Sequence, residues 1–248
     1  MPLDEAFGLF ARAGFAGVEV MVTKDPDTRD PRRLRELAED HALRIEALHA
    51  PFLLMTRRVW GTDPIEKIRR AVELAEEVGA PLVVAHPPFR WQSRYRRWVR
   101  DELASLSETT SVTVGVENMF PVYVRGRRVA FHGVTTLADL DGFEHVVLDT
   151  SHAAVSGLDL LEALATLRGR LAHVHLSDNP GKGWDSHLPL GEGTLPLDRF
   201  LEALAADRYA GTISLELDLR RHRGDERALL EALIRNREFC AARLRLVA

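Results

Sequence analysis

Short runs of Val, Leu and Ile alternate with longer amphipathic stretches along the whole chain. The apolar runs predict strands over Gly17 to Val22, Ile45 to Ala50, Leu82 to Ala85, Thr113 to Glu117, His145 to Asp149, Leu171 to Leu176 and Thr212 to Leu217. The amphipathic stretches predict helices over Leu3 to Ala13, Pro31 to Ala42, Asp63 to Val78, Ser93 to Ser107, Leu158 to Leu167, Leu197 to Asp207 and Asp225 to Leu244. Asp63-Pro64 is a good helix start, with Asp as N-cap and Pro at the first helical position. Strand alternating with helix at this spacing argues for a parallel sheet with crossover helices. A doubly wound sheet would want a Gly-rich phosphate turn after an early strand, and none is seen. The pattern favours an α/β fold of the (β/α)8 TIM-barrel kind, whose active site collects residues from the C-terminal ends of many strands.

Seven strands are one short of that barrel, and the chain opens directly on a helix that should follow a first strand. The expectation is that the first barrel strand is missing from this chain, or that something else fills its place. An incomplete barrel exposes two strand edges, which predicts either a strand upstream of this start or a homodimer contact over the gap. No Pro/Gly/Ser-rich linker or low-complexity segment divides the sequence, so residues 1–248 read as a single domain.

Composition narrows the function classes. An apolar fraction of 46% supports an ordinary globular core. The single cysteine, Cys240, excludes a disulfide framework and a thiolate metal cluster, and fits a reducing cytoplasm. No apolar run reaches transmembrane length and no signal pattern opens the chain, so a membrane partner is not expected. A net charge of −4 shows that the molecule as a whole is not a polycation seeking nucleic acid.

The chemistry gathers at strand ends. Glu117, Asp149, His175 and Glu216 each stand at or just past a run of aliphatic residues, where a carboxylate adds nothing to a buried strand. Converging from four strands, they supply hard oxygen and imidazole ligands that suit Mg, Mn, Co or Zn. Further candidates hold equivalent places: His49 in Leu-His49-Ala-Pro-Phe, His86 in Val-Val-Ala-His86-Pro-Pro, His152 three residues beyond Asp149, and the Asp185-Ser-His187 pair after the His175 strand. His173, two residues before His175, reads as a deeper hydrogen-bonding residue of the interior.

These segments resemble the xylose isomerase-like TIM barrel superfamily, which includes sugar and sugar-phosphate isomerases and epimerases and the endonuclease IV-type apurinic endonucleases. The resemblance runs from Ala13-Gly-Phe-Ala-Gly-Val-Glu19 to Gly211-Thr-Ile-Ser-Leu-Glu216. It is strongest in Leu-Asp149-Thr-Ser-His152, His175-Leu-Ser-Asp178-Asn and Asp185-Ser-His187-Leu-Pro-Leu-Gly-Glu-Gly. In the isomerase branch it implies one metal held by Glu117, Asp149, His175 and Glu216, with the two glutamates as acid and base on either side of a sugar carbon. In the endonuclease branch it implies up to three zinc ions held by those four together with His49, His86, His152, Asp185 and His187.

Isomerisation or epimerisation needs a polarised carbonyl and a carboxylate that takes a proton and returns it, and Glu117 and Glu216 on opposed strands provide that symmetry. Phosphodiester cleavage needs clustered metals and a basic surface for the DNA backbone. Arg57, Arg58, Arg90, Arg94, Arg96, Arg97, Arg125, Arg127 and Arg128 follow strand ends, with Trp60, Trp91, Trp98 and Phe120 interleaved as a stacking surface would require. The acidic net charge and the short chain favour a metal-dependent isomerase or epimerase acting on a small sugar or sugar phosphate. An apurinic endonuclease, or a polyol dehydratase or lyase of the same superfamily, is the alternative.

Overall fold

A computed structural model describes residues 1–51, 56–125, 127–181 and 183–244. The helices are α1 (Leu3–Arg12), α2 (Pro31–Asp40), α3 (Pro64–Val78), α4 (Ser93–Asp101), α5 (Leu103–Glu108), α6 (Thr150–Ser156), α7 (Leu160–Leu167), α8 (Leu197–Ala206) and α9 (Glu226–Leu244). The strands are β1 (Gly17–Met21), β2 (Arg44–His49), β3 (Leu82–Ala85), β4 (Thr113–Glu117), β5 (Val122–Val124), β6 (Arg127–Val129), β7 (Val146–Asp149), β8 (Leu171–Leu176) and β9 (Thr212–Leu215). Among the described residues no strand precedes α1, and no helix is long and apolar enough to cross a membrane.

The chain forms two compact units, Met1–Val116 and Glu117–Ala248. In the first, β1, β2, β3 and β4 lie side by side in chain order and run parallel. All four residues of β3 are buried, as expected for a parallel strand covered on both faces. Asp30 caps α2 by accepting from the amides of Arg32 and Arg33 at 2.9 and 3.2 Å, and Pro31 fills the first helical position. Asp63 does the same for α3 toward Ile65, and Gly79 ends that helix with a left-handed φ of 75°. These local stops and starts give each strand its crossover helix.

The expected helix from Ser93 to Ser107 is broken at Glu102, where φ is −125°. Tyr95, Trp98, Val99 and Leu103 are buried. An uninterrupted helix would carry Glu102 onto the same stripe, two turns beyond Tyr95. The step at Glu102 leaves this carboxylate exposed.

In the second unit β7, β8 and β9 are parallel neighbours. Leu148, Val174 and Leu176 of this sheet pack in one core with Leu160, Leu164 and Leu167 of α7 and Leu197, Phe200, Leu201 and Leu204 of α8. Two elements here were not expected from the sequence. One is the antiparallel hairpin β5–β6. The other is α6, which starts on Asp149 itself: the Asp149 Oδ1 accepts from the His152 amide at 2.6 Å, and Gly157 closes the helix with φ 77°.

Candidate functional site

The parallel strands β4, β7, β8 and β9 each carry an acid or a histidine at or next to their C-terminal end. Glu117 ends β4 and Asp149 ends β7; His175 is the penultimate residue of β8, and Glu216 follows β9 directly. One ligand atom from each of the four lies within 4.8 Å of the others. His175 Nδ1 stands 2.8 Å from Glu117 Oε1, 3.1 Å from Glu216 Oε2 and 3.9 Å from Asp149 Oδ2. Glu117, Asp149 and His175 are buried, whereas the Glu216 side chain is 36% exposed.

This cluster has too few protons for its charge. His175 Nδ1 is shared between Glu117 and Glu216, the His152 amide serves Asp149 Oδ1, and Asp149 Oδ2 is buried without a hydrogen-bond partner. Burial first, and then the neighbouring Glu216 and Glu117 charges, push the Asp149 carboxyl up to about 6, despite His152 and His187 pulling the other way. Burial also opposes ionisation of Glu216, but the hydrogen bond and charge of His175 outweigh it and hold that carboxyl below its usual value. Three oxygen donors and one imidazole arranged so are a chemical match for a divalent cation, whose charge relieves the repulsion.

A second cluster adjoins the first. Asp185 Oδ2 lies 2.7 Å from His187 Nε2 and 3.3 Å from His152 Nε2, and Asp185 Oδ1 accepts from the Ser151 hydroxyl at 2.6 Å. His152 Nδ1 donates to the Asn118 carbonyl at 2.8 Å. Burial disfavours charge on His152, yet Asp149, Asp185 and Glu117 outweigh it and raise the imidazole to about 10. For His187 burial is likewise overcome, here by Asp185, Asp149 and Glu216, and the ring rises to about 9. The same two histidines hold Asp185 well below the carboxylate range against its own burial. Donor atoms of Asp149, His152 and His187 also come within 4.8 Å of one another.

Seven of the nine expected residues thus converge in the second unit. The other two, His49 and His86, belong to the first, at the end of β2 and just past β3, with their Nε2 atoms 3.2 Å apart. His173 bonds Ser214 Oγ at 2.9 Å, the interior role expected of it.

Several supporting residues escaped sequence reasoning. Asn118 grips the Asp149 backbone in both directions, accepting from its amide at 2.7 Å and donating to its carbonyl at 3.1 Å. Thr150 Oγ1 donates to the Ser177 carbonyl at 2.7 Å and accepts from the Ser177 amide at 3.0 Å. Asp178 organises the loop that carries Asp185 and His187, accepting from the amides of Asn179, Gly191 and Leu195. The one signal available was an Asn directly after a strand-end acid, at both Glu117-Asn118 and Asp178-Asn179.

Residues 7–237 match the family model described as xylose isomerase-like TIM barrel. The chain belongs to this family. A protein of Mycobacterium tuberculosis with no assigned function is 36% identical over 86% of this chain and 83% of its own length. The 3-dehydro-D-guloside 4-epimerase of Escherichia coli is 31% identical over 64% of each chain. Among solved structures, D-psicose 3-epimerase from Clostridium cellulolyticum superposes with a TM-score of 0.73 at 17% identity, over 98% of this chain and 94% of its own. A family 2 AP endonuclease from Brucella melitensis shares the fold too, so the (β/α)8 architecture of the family serves both chemistries.

Proposed function

We propose that this member of the xylose isomerase-like family is a divalent-metal-dependent epimerase or isomerase of a small sugar. The observation that carries the reading is the four-donor cluster of Glu117, Asp149, His175 and Glu216 around a buried, proton-poor centre. Those four residues would hold the metal. When bound, the ion supplies Lewis-acid polarisation of a carbonyl and an adjacent hydroxyl oxygen.

The remaining work falls to the chain. One of the two glutamates takes the proton from the carbon beside the carbonyl, and the C–H electron pair moves toward the carbonyl oxygen. The other glutamate returns a proton to the opposite face, inverting that carbon, or to the neighbouring carbon, which moves the carbonyl. His175 Nδ1, 2.8 Å from Glu117 Oε1 and 3.1 Å from Glu216 Oε2, lies between the two carboxylates that would flank the ion. Asn118 and Thr150 keep the Asp149 and His175 strand ends fixed while the proton moves. The 31% identity to a sugar epimerase supports this class of reaction.

The test is solvent exchange. Incubated with a ketose in D2O, the metal-loaded protein should incorporate deuterium at the carbon beside the carbonyl, and Glu117→Gln or Glu216→Gln should abolish incorporation. Full exchange by either variant would refute the assignment. A second reading, apurinic endonuclease, draws on the Asp149–His152–His187 donor group. It requires nicking of DNA at an abasic site and close to three equivalents of zinc per chain. A metal content near one equivalent removes it.

A further inference from the structure

Trp184, immediately before Asp185, is 62% exposed, an unusual position for the largest apolar side chain. Its backbone is nevertheless held firmly. The Trp184 carbonyl accepts from Asn179 Nδ2 at 3.2 Å and from the Ser186 hydroxyl at 2.9 Å, while Asn179 Oδ1 accepts from the Gly181 amide at 2.9 Å. Asn179 is fully buried and its Nδ2 also donates to Ser151, the residue that bonds Asp185. The indole is therefore displayed to solvent by the same hydrogen-bond network that positions the second cluster.

The indole is also part of a row. It packs edge-on against Phe120 with ring centroids 5.7 Å apart and an interplanar angle of 83°. Phe120 in turn lies 4.7 Å from the His152 ring. The aromatic surface thus runs without a break from an imidazole of the site outward to solvent. An aromatic face matches the C–H face of a sugar ring, which sheds water from both surfaces on contact.

We infer that Trp184 and Phe120 form a specificity subsite that receives an uncharged pyranose ring, the part of the substrate remote from the reacting carbon. This rests on the epimerase or isomerase reading above and narrows its substrate class to glycosides, whose remote ring meets the indole while the reacting part keeps its carbonyl. Trp184 is the residue that selects the ring, and Phe120 fixes the angle of the indole.

The experiment titrates full-length metal-loaded protein with methyl α-D-glucopyranoside and, separately, with D-glucitol 6-phosphate, using calorimetry and saturation-transfer NMR. The wild type should bind the glucoside with magnetisation transferred to its ring C–H protons. Trp184→Ala should weaken that binding roughly tenfold, and Trp184→Phe should retain most of it. Affinity for D-glucitol 6-phosphate should not change in Trp184→Ala. Circular dichroism on each variant confirms the fold. Equal glucoside affinity in wild type and Trp184→Ala, parallel losses for both probes, or no glucoside binding by the wild type would each overturn the inference. Deuterium exchange on the same preparations separates the two proposals: Trp184-dependent binding without exchange indicts the glutamates, and exchange without Trp184 dependence indicts the aromatic row.

Discussion

Asn118 and Asp149 clasp one another through two hydrogen bonds, the Asn118 carboxamide pairing with both the amide and the carbonyl of Asp149. The clasp sets the direction in which a buried carboxylate leaves its strand. Asn118→Ala leaves a buried N–H and a buried C=O unpaired, which costs about 1–3 kcal/mol. The urea midpoint should fall accordingly. Metal affinity should fall with it, because Asp149 loses its fixed orientation; an unchanged midpoint would show that the clasp adds nothing to stability.

Removal and return of the ion test the four-donor cluster. Dialysis against a chelator should abolish deuterium exchange, and one equivalent of Mn, Mg, Co or Zn should restore it. Asp149→Asn should keep the fold, as judged by circular dichroism, and lower metal affinity at least tenfold, since one of three anionic donors is gone. Elemental analysis and calorimetry give the two readouts.

Proton linkage gives the metal-free protein a characteristic slope. The folded state raises His152 from 6.5 to about 10 and His187 from 6.5 to about 9. Both histidines bind protons more tightly folded than unfolded. Their stabilisation is therefore complete below about pH 6.5 and is lost as pH rises through 9 to 10. Urea midpoints measured in chelator should decline across that window, and His152→Gln should flatten the decline. A midpoint that rises from pH 7 to 10 would contradict the Asp185-centred geometry.

Gly193 tests the loop that carries Asp185 and His187. A Cβ at this position would sit 2.3 Å from Asp178 Oδ1 and 2.5 Å from the Asn179 carbonyl oxygen. Asp178 cannot yield without breaking the amide bonds that it accepts, nor the Asn179 carbonyl without losing the Thr194 amide. Gly193→Ala should destabilise by about 1–3 kcal/mol and reduce exchange activity, read by thermal melting and the deuterium assay together.

The strand and helix boundaries were legible within a residue or two, because β/α alternation is written in local hydrophobic period and in caps such as Asp63-Pro64. Where the reading went astray, the cause was tertiary. The break at Glu102 depends on which face Tyr95 and Leu103 bury, and no proline or glycine marks it. The α6 helix looks like loop in sequence because it is only seven residues long and opens on the site aspartate. The structure leaves the family's barrel arrangement as the sequence resemblance had it, and seven strand-end or loop acids and histidines lie together in the second unit.

The chain by itself determined where polar groups gather: aliphatic runs that end in Glu117, Asp149, His175 and Glu216 form parallel strands and bring those groups toward a common end. Tertiary structure alone decided the partners. That His175 stands between two glutamates, that Asp185 bridges two histidines, and that Phe120 joins Trp184 to His152 are matters of distance between residues as far as 64 positions apart in the chain. Hydrophobic period records which way a side chain faces; it carries no information about which other side chain it will meet.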